Sequence, residues 1–223
     1  VVNWLSQRRG EGMEMGSNQR FSQTIESEEE LRTIVGSPSK LVENKVITYL
    51  DTHCSNFISK SSFLVISTAD DAGCCDASPR GDKPGFVLVL DEKHLIIPER
   101  PGNRRIDSMR NILSNPRVGL LFIIPGMEET LRVNGKATLV KDEELLEKMK
   151  VNERKPLLGI GVKVDECFIH CAKAFKRSNL WEPDSWPDKE TLPSASKILS
   201  AHSKISNQKV VDILEESYTK RLY

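Results

Sequence analysis

No net charge remains on the 223-residue sequence, with 32 Lys and Arg against 32 Asp and Glu. That removes the long-range field that would draw the chain to nucleic acid or an anionic membrane, so any anion site has to be local. No apolar run comes near the roughly 20 residues that a bilayer-spanning helix needs, and no basic-then-apolar leader opens the chain. The first residue, Val1, is not an initiator Met, as expected of a processed or excised chain. A Gly-x-Gly-x-x-Gly dinucleotide fingerprint is missing. So are a Ser-His-Asp ordering, a Cys beside an activating base and a carboxylate pair at a defined spacing. The composition, 38% hydrophobic and 29% charged, suits one soluble domain with a sizeable core.

Cysteines number five: Cys54, Cys74, Cys75, Cys167 and Cys171. An odd count with a vicinal pair argues against a secreted disulfide framework and for a reducing cytoplasm. The stretch Cys167-Phe168-Ile169-His170-Cys171 has loose spacing for zinc and no second ligand pair elsewhere, so buried or idle thiols are expected instead.

Residues 1–22 are polar and aperiodic, an expected N-terminal extension. Ser27 and Glu30 have capping-box spacing ahead of Leu31 and Ile34. A second helix is expected over residues 39–52. FLVIST (63–68) reads as a strand ended by a turn, and FVLVL (86–90) with HLIIP (94–98) as a hairpin. Residues 104–113 have helical spacing, stopped at Asn115-Pro116. Strands follow over 117–124, 130–140 and 160–169, and CAKAFKRSNLW (171–181) suits one or two helical turns. Short strands joined by hairpins, without regular crossover helices, predict an α+β fold: an antiparallel barrel of about six strands with peripheral helices. The main domain is expected over residues 23–186 and a helical extension over 187–223.

The segment PERPGNRRIDSMRNILSNPRVGLLF (98–122) gathers Arg100, Arg104, Arg105 and Arg110 around a Gly-Asn turn. A helix beginning near Arg104 offers free N–H groups and its positive dipole end to an anion. Arg104 and Arg105 add fork-shaped donors suited to phosphate, and Ser108, one turn on, adds a hydroxyl. Arg110 falls on another side of that helix, and Arg100 lies before the turn. Arginine at a helix start opposes the dipole, which calls for an anion as compensation. Taken alone, the same residues also make an ordinary solvated helix face. CDASPRGDKPGF (75–86) reads as an irregular polar insert or a plain loop. In HCAKAFKRSNLW (170–181), Lys173, Lys176 and Arg177 precede Trp181, which also suits a basic helix with a core tryptophan.

Together the stretches SPRGD, PGFV, LIIPERPGNRR, RNIL, NPRVGLLF, ETLRVNGKA and HCAKAFKRSNLW resemble the pyridoxamine 5′-phosphate oxidase-like class of FMN-binding split β-barrels. More narrowly they are similar to a subgroup described as FMN-dependent enzymes. The resemblance covers roughly residues 63–186 and implies a six-stranded antiparallel split barrel that binds FMN. It implies that the segment Gly102-Asn103-Arg104-Arg105 serves the flavin phosphate through Arg104 and Arg105, and Asn103, Ser108 and Pro98 join them as candidate cofactor-binding residues. Asp76, Ser78 and Arg80 would line the isoalloxazine and ribityl chain, and Thr130 would be a polar flavin contact. The class forms homodimers with flavin at the interface, which makes Lys173, Arg177 and Trp181 candidates to reach the second copy's flavin.

True pyridoxamine-phosphate oxidases resemble one another in a C-terminal Arg-x-His element. This chain lacks it, ending LEESYTKRLY, so vitamin B6 oxidation is not implied. The expected activity is an FMN-dependent oxidoreductase acting on a small-molecule substrate or electron donor, the flavin carrying the redox chemistry. A non-catalytic flavin carrier or sensor is the alternative reading, as is a barrel for haem or a deazaflavin. For haem, His170 is the histidine beside a functional-looking stretch. Neither nucleic acid nor membrane is an expected partner.

Overall fold

A computed structural model describes residues 20–223 of the chain, so the extension expected over residues 1–22 falls almost wholly outside them. The described residues fall into two units, one ending at Glu43 and the other running from Asn44 to Tyr223. In the first, α1 (Glu28–Val35) starts where the capping spacing predicts, with Ser27 Oγ accepting from Glu30 N–H at 3.1 Å. The Glu30 carboxylate reaches back to Glu26 N–H rather than to that of Ser27.

The single helix expected over 39–52 is instead two helices with a strand-like link between them. Helix α2 (Lys40–Asn44) ends early, and Ile47 forms an antiparallel bridge with Cys167 through two backbone hydrogen bonds of 2.7 and 3.0 Å. Val46, Ile47 and Thr48 are β-branched and accept extended backbone readily. Asp51 then opens α3 (Thr52–Lys60) by taking the Cys54 N–H at 2.7 Å.

Seven strands follow: β1 (Phe63–Ala69), β2 (Cys75–Gly81), β3 (Leu88–Val89), β4 (His94–Pro98), β5 (Arg117–Ile123), β6 (Thr130–Val140) and β7 (Gly159–His170). They form one antiparallel sheet in the order β2-β1-β5-β6-β7-β4-β3. The count exceeds the expected six because CDASPRG, read as an irregular insert, is strand β2. It lies at the sheet's edge, where Pro79 removes a donor that a neighbouring strand does not need. Among the described residues no backbone pairing joins β2 to β3, so the seven strands form an open antiparallel sheet where a six-stranded split barrel is expected.

Strand alternation builds the core. Leu64 and Ile66 of β1, Leu95 and Ile97 of β4, Leu120 and Phe122 of β5, Val133 of β6, and Ile160 and Val162 of β7 are buried together. Each such side chain contributes about 1.5–3 kcal/mol by leaving water. Between β6 and β7 the register slips at Asn134/Gly135, and a Cβ on Gly135 would collide with the Lys163 carbonyl oxygen. The bulge therefore requires glycine there. Helices α4 (Asp107–Ser114), α5 (Glu143–Lys148), α6 (Lys173–Ser178), α7 (Ala195–Ser203) and α8 (Asn207–Lys220) complete the larger unit, the last two lying within the expected extension 187–223. Among the described residues no helix is long and apolar enough to cross a membrane.

Candidate functional site

Alternation along β2 sets Asp76, Ser78 and Arg80 on a half-buried face, paired with Thr68, Ile66 and Leu64 of β1. Both ends of that face are held by the segment that follows β4. At one end Arg80 Nε lies 3.3 Å from Glu99 Oε2, with side chains only 17% and 22% exposed. Beside it Arg100 donates from Nε to Asp82 Oδ2 at 2.6 Å and from Nη2 to Met149 O at 2.9 Å. At the other end Asn111 of α4 donates from Nδ2 to Asp76 Oδ2 at 2.9 Å and to Thr68 Oγ1 at 3.0 Å. The chain from Glu99 to Asn111 therefore connects the two ends of β2's inner face. It carries Asn103, Arg104, Arg105 and the buried Ser108 between them.

The expected helix start at Arg104 is corrected to Asp107. Asn103 Oδ1 accepts from Arg105 N–H at 2.9 Å, and Arg104 and Ile106 take left-handed φ values of 59° and 56°. For a β-branched residue such as Ile106 that conformation is an outlier, of the kind that persists only when its surroundings hold it. Asp107, not arginine, occupies the first turn and complements the dipole. Arg105 Nε pairs with it at 2.8 Å. The dipole argument for an anion therefore falls away. The two arginines stand on the loop ahead of the helix, and the Arg104 guanidinium has no hydrogen bond or ion pair among the described residues.

The Arg80–Glu99 contact is an ion pair by distance, yet Arg80 Nε and Glu99 Oε2 are buried with no hydrogen-bond partner among the described residues. The charges attract, but the groups are misaligned, leaving a donor and an acceptor unmet. Burial pushes the Glu99 carboxyl above its ordinary value, and Arg80 only partly opposes it. Burial also works against the Asp82 carboxylate. There the Lys83 N–H, the Tyr223 hydroxyl at 2.8 Å and Arg100 outweigh it and hold the group below the usual range. Arg154 Nη1 binds the Tyr223 carbonyl oxygen, so the residues after α8 are tied to the same corner.

Thr130, Lys173, Arg177 and Trp181 belong to a second group. Thr130 is buried at the start of β6, opposite His170. Trp181 donates to Met127 O at 2.9 Å and stacks on Phe175, and Lys176 pairs with Glu128 at 2.8 Å. A small cleft of about 290 Å3 lies among Glu128, Phe175, Lys176, Asn179 and Trp181. Burial, then Arg132 and Lys45, push the His170 imidazole below its ordinary value, so it is neutral at neutral pH.

A cavity of about 840 Å3 opens on the other face of the sheet and includes only Asp76 of the predicted residues. Its floor is a row of neighbours across five strands: Ala77, Ser67, Gly119, Asn134 and Glu166. Asn134 Nδ2 holds Glu166 at 2.7 Å, and Arg117 holds Asp165 at 2.9 Å. Three carboxylates against one guanidinium make its walls a poor setting for phosphate.

Sequence reasoning missed Glu99, Asp82, Asn111 and Tyr223. Glu99 alone among them carried a signal, an acidic residue inside an arginine-rich run. Arg100, passed over because it precedes the turn, is the cation that neutralises Asp82.

The pyridoxamine 5′-phosphate oxidase family profile matches residues 50–171. No curated protein matches the chain. Among solved structures, the chain is similar to HupZ of Group A Streptococcus at 19% identity, over 53% of this chain and 92% of that one, with a TM-score of 0.43. It is similar to an FMN-binding protein from Syntrophomonas wolfei subsp. wolfei at 10% identity, over 52% and 87%, with a TM-score of 0.39. A third likeness is to HutZ, the haem storage protein of Vibrio cholerae, at 14% identity, over 54% and 93%, with a TM-score of 0.37. Likenesses this distant decide nothing about a ligand.

Proposed function

The chain belongs to the pyridoxamine 5′-phosphate oxidase family, and from that premise we propose that it binds FMN beside the inner face of β2 and acts as an FMN-dependent oxidoreductase on a small molecule. The observation that supports this reading most is the loop held at both ends of β2. It sets the Arg104 guanidinium, without a hydrogen bond or ion pair among the described residues, on the same connecting segment that meets two buried polar atoms left unbonded among those residues, Arg80 Nε and Glu99 Oε2. A bound FMN would supply the ring that takes up and releases hydride or electrons.

The chain's own part is binding and orientation. Arg104, with Arg105 second because Asp107 already engages it, would hold the phosphate by charge-assisted hydrogen bonds. Ser78 and Arg80 offer a hydroxyl and a guanidinium to polar groups of the ligand. Asp76 is less available, since Asn111 holds one of its oxygens. Pro98, buried at the end of β4, would form an apolar floor. The group around Thr130, Lys173, Arg177 and Trp181 would come from a second copy of the chain, so that a twofold homodimer completes each site. Five free thiols suit a reducing compartment such as the cytoplasm.

Absorbance spectra of the purified protein, with mass spectrometry of the released chromophore, test this reading. FMN bleached anaerobically by a nicotinamide or other donor supports it. FMN that no donor reduces leaves a carrier or sensor. Haem or a deazaflavin in its place overturns the flavin assignment, and haem would turn attention to the neutral imidazole of His170.

A further inference from the structure

Cys54 and Cys167 stand apart from the site above. They are 113 positions apart in sequence, yet their sulfurs lie 3.4 Å from each other in the core, one on α3 and the other on β7. Both are free thiols, and Cys167 Sγ donates to Cys54 Sγ. Their backbones are held beside each other by the Ile47–Cys167 bridge and by the Asp51 cap on the Cys54 N–H. A disulfide needs sulfurs about 2.05 Å apart, so side-chain rotation has only about 1.4 Å to close. A metal would need more ligands, and no group of three His, Cys, Asp or Glu side chains able to hold one occurs among the described residues.

We propose that Cys54 and Cys167 are a reversible oxidation site, in which a peroxide oxidises Cys54 and Cys167 resolves the product into a Cys54–Cys167 disulfide. In the first step the Cys54 thiolate attacks one peroxide oxygen. The O–O bond breaks, sulfenic acid forms on Cys54, and the other oxygen leaves with a proton as water when the oxidant is hydrogen peroxide. In the second the Cys167 thiol, losing its proton, attacks the Cys54 sulfur, and the sulfenic oxygen leaves as a second water. Two thiol hydrogens and one peroxide are consumed, the sulfurs being oxidised and the peroxide reduced.

The division of roles follows from the surroundings. Cys54 keeps 9% of its surface exposed, whereas Cys167 has none, so an oxidant meets Cys54 first. Cys54 also sits in the first turn of α3, where N–H groups and the dipole favour a thiolate. The hydrogen bond from Cys167 acts first in lowering the Cys54 thiol, against burial and the opposing charge of the capping Asp51 carboxylate, and the same contact with burial pushes Cys167 up. The bond would tie α3 to the strand that carries Glu166 and His170. A reducing compartment suits a transient bond of this kind rather than a permanent one.

The test uses the full chain with its three exposed cysteines replaced, Cys74→Ser, Cys75→Ser and Cys171→Ser. After stoichiometric hydrogen peroxide, alkylation in denaturant should find both remaining thiols lost, with an intact mass lower by about two hydrogens. Peptide mapping should join Cys54 to Cys167, and dithiothreitol should restore both thiols. Adding Cys167→Ser should stop the reaction at sulfenic acid on Cys54, captured by dimedone. Two alkylatable thiols surviving, or oxygen gained with no cross-link, would overturn the proposal. So would a dimedone adduct forming on Cys167 in the Cys54→Ser background as fast as on Cys54 in the Cys167→Ser background.

Discussion

Arg80 and Glu99 face each other at 3.3 Å, linking edge strand β2 to the end of β4, two strands that no backbone ladder joins. The neighbouring Arg100–Asp82 pair repeats the link at 2.6 Å. Side chains thus hold together two parts of the sheet that lie far apart in its strand order. Any ligand along β2's inner face meets a corner built from charge.

The Glu99 carboxyl gives that corner a pH signature. Its folded-state value is raised, burial being the larger cause, so its favourable contribution is fully present below its ordinary value. That contribution is lost as pH rises through the raised one. Glu99→Gln should remove the loss. The variant's stability relative to wild type, from urea unfolding in the absence of ligand, should grow as pH rises from about 4.5 towards 7. A difference that stays flat or falls over that window would mean that Arg80 governs the titration.

Asp82 should behave in the opposite sense. Its value is held low, so its contribution is present above the ordinary aspartate range and lost as pH falls through the lowered value. Tyr223→Phe removes one of the bonds that hold it, at a cost of about 1 kcal/mol, and should move the onset of acid unfolding upward in pH. Arg100→Ala leaves a carboxylate only 1% exposed without its cation and should cost about 3–5 kcal/mol. Circular dichroism through an acid titration reads both.

Flavin affinity should separate the arginines. Arg104→Ala removes a charge-assisted donor worth about 1.5–3 kcal/mol, equivalent to roughly 10- to 100-fold in Kd. Arg105→Ala should weaken binding less, because Asp107 competes for its guanidinium. Arg110→Ala, on the exposed side of α4, should change little. Titration of the apoprotein with FMN gives the order, and a dominant effect at Arg110 would put the phosphate elsewhere.

If one site draws on two copies of the chain, variants should complement each other. Arg104→Ala and Arg177→Ala each damage both sites of their own homodimer. In a heterodimer of the two, one site has both lesions and the other neither. Mixed and exchanged in equal amounts, the pair should recover flavin binding in roughly a quarter of sites, as random assortment of a twofold dimer requires. No recovery, despite subunit exchange followed by light scattering, would make each site the property of one chain.

Much of this protein is local and could be read from the sequence. Strands β1, β5, β6 and β7 announce themselves because burial of alternate residues is a property of the strand alone, as with Leu131, Val133 and Leu139. Ser27 and Glu30 likewise place a helix start through contacts three residues apart. Strand β2 was hidden because Pro79, Gly81 and Asp82 are turn formers, and only a position at the sheet's edge makes proline tolerable in a strand. The helix after Gly102 begins late for a similar reason. Positive φ at Arg104 and Ile106 is held by the loop's surroundings, which no propensity records. The pairs that define the corner and the core join residues 18, 35, 113 and 141 positions apart: Asp82 with Arg100, Asp76 with Asn111, Cys54 with Cys167, and Asp82 with Tyr223. Spacing in sequence carries no information about such contacts. They exist because sheet order and helix packing bring distant charges, amides and thiols within bonding range, and that is decided only when the chain has folded.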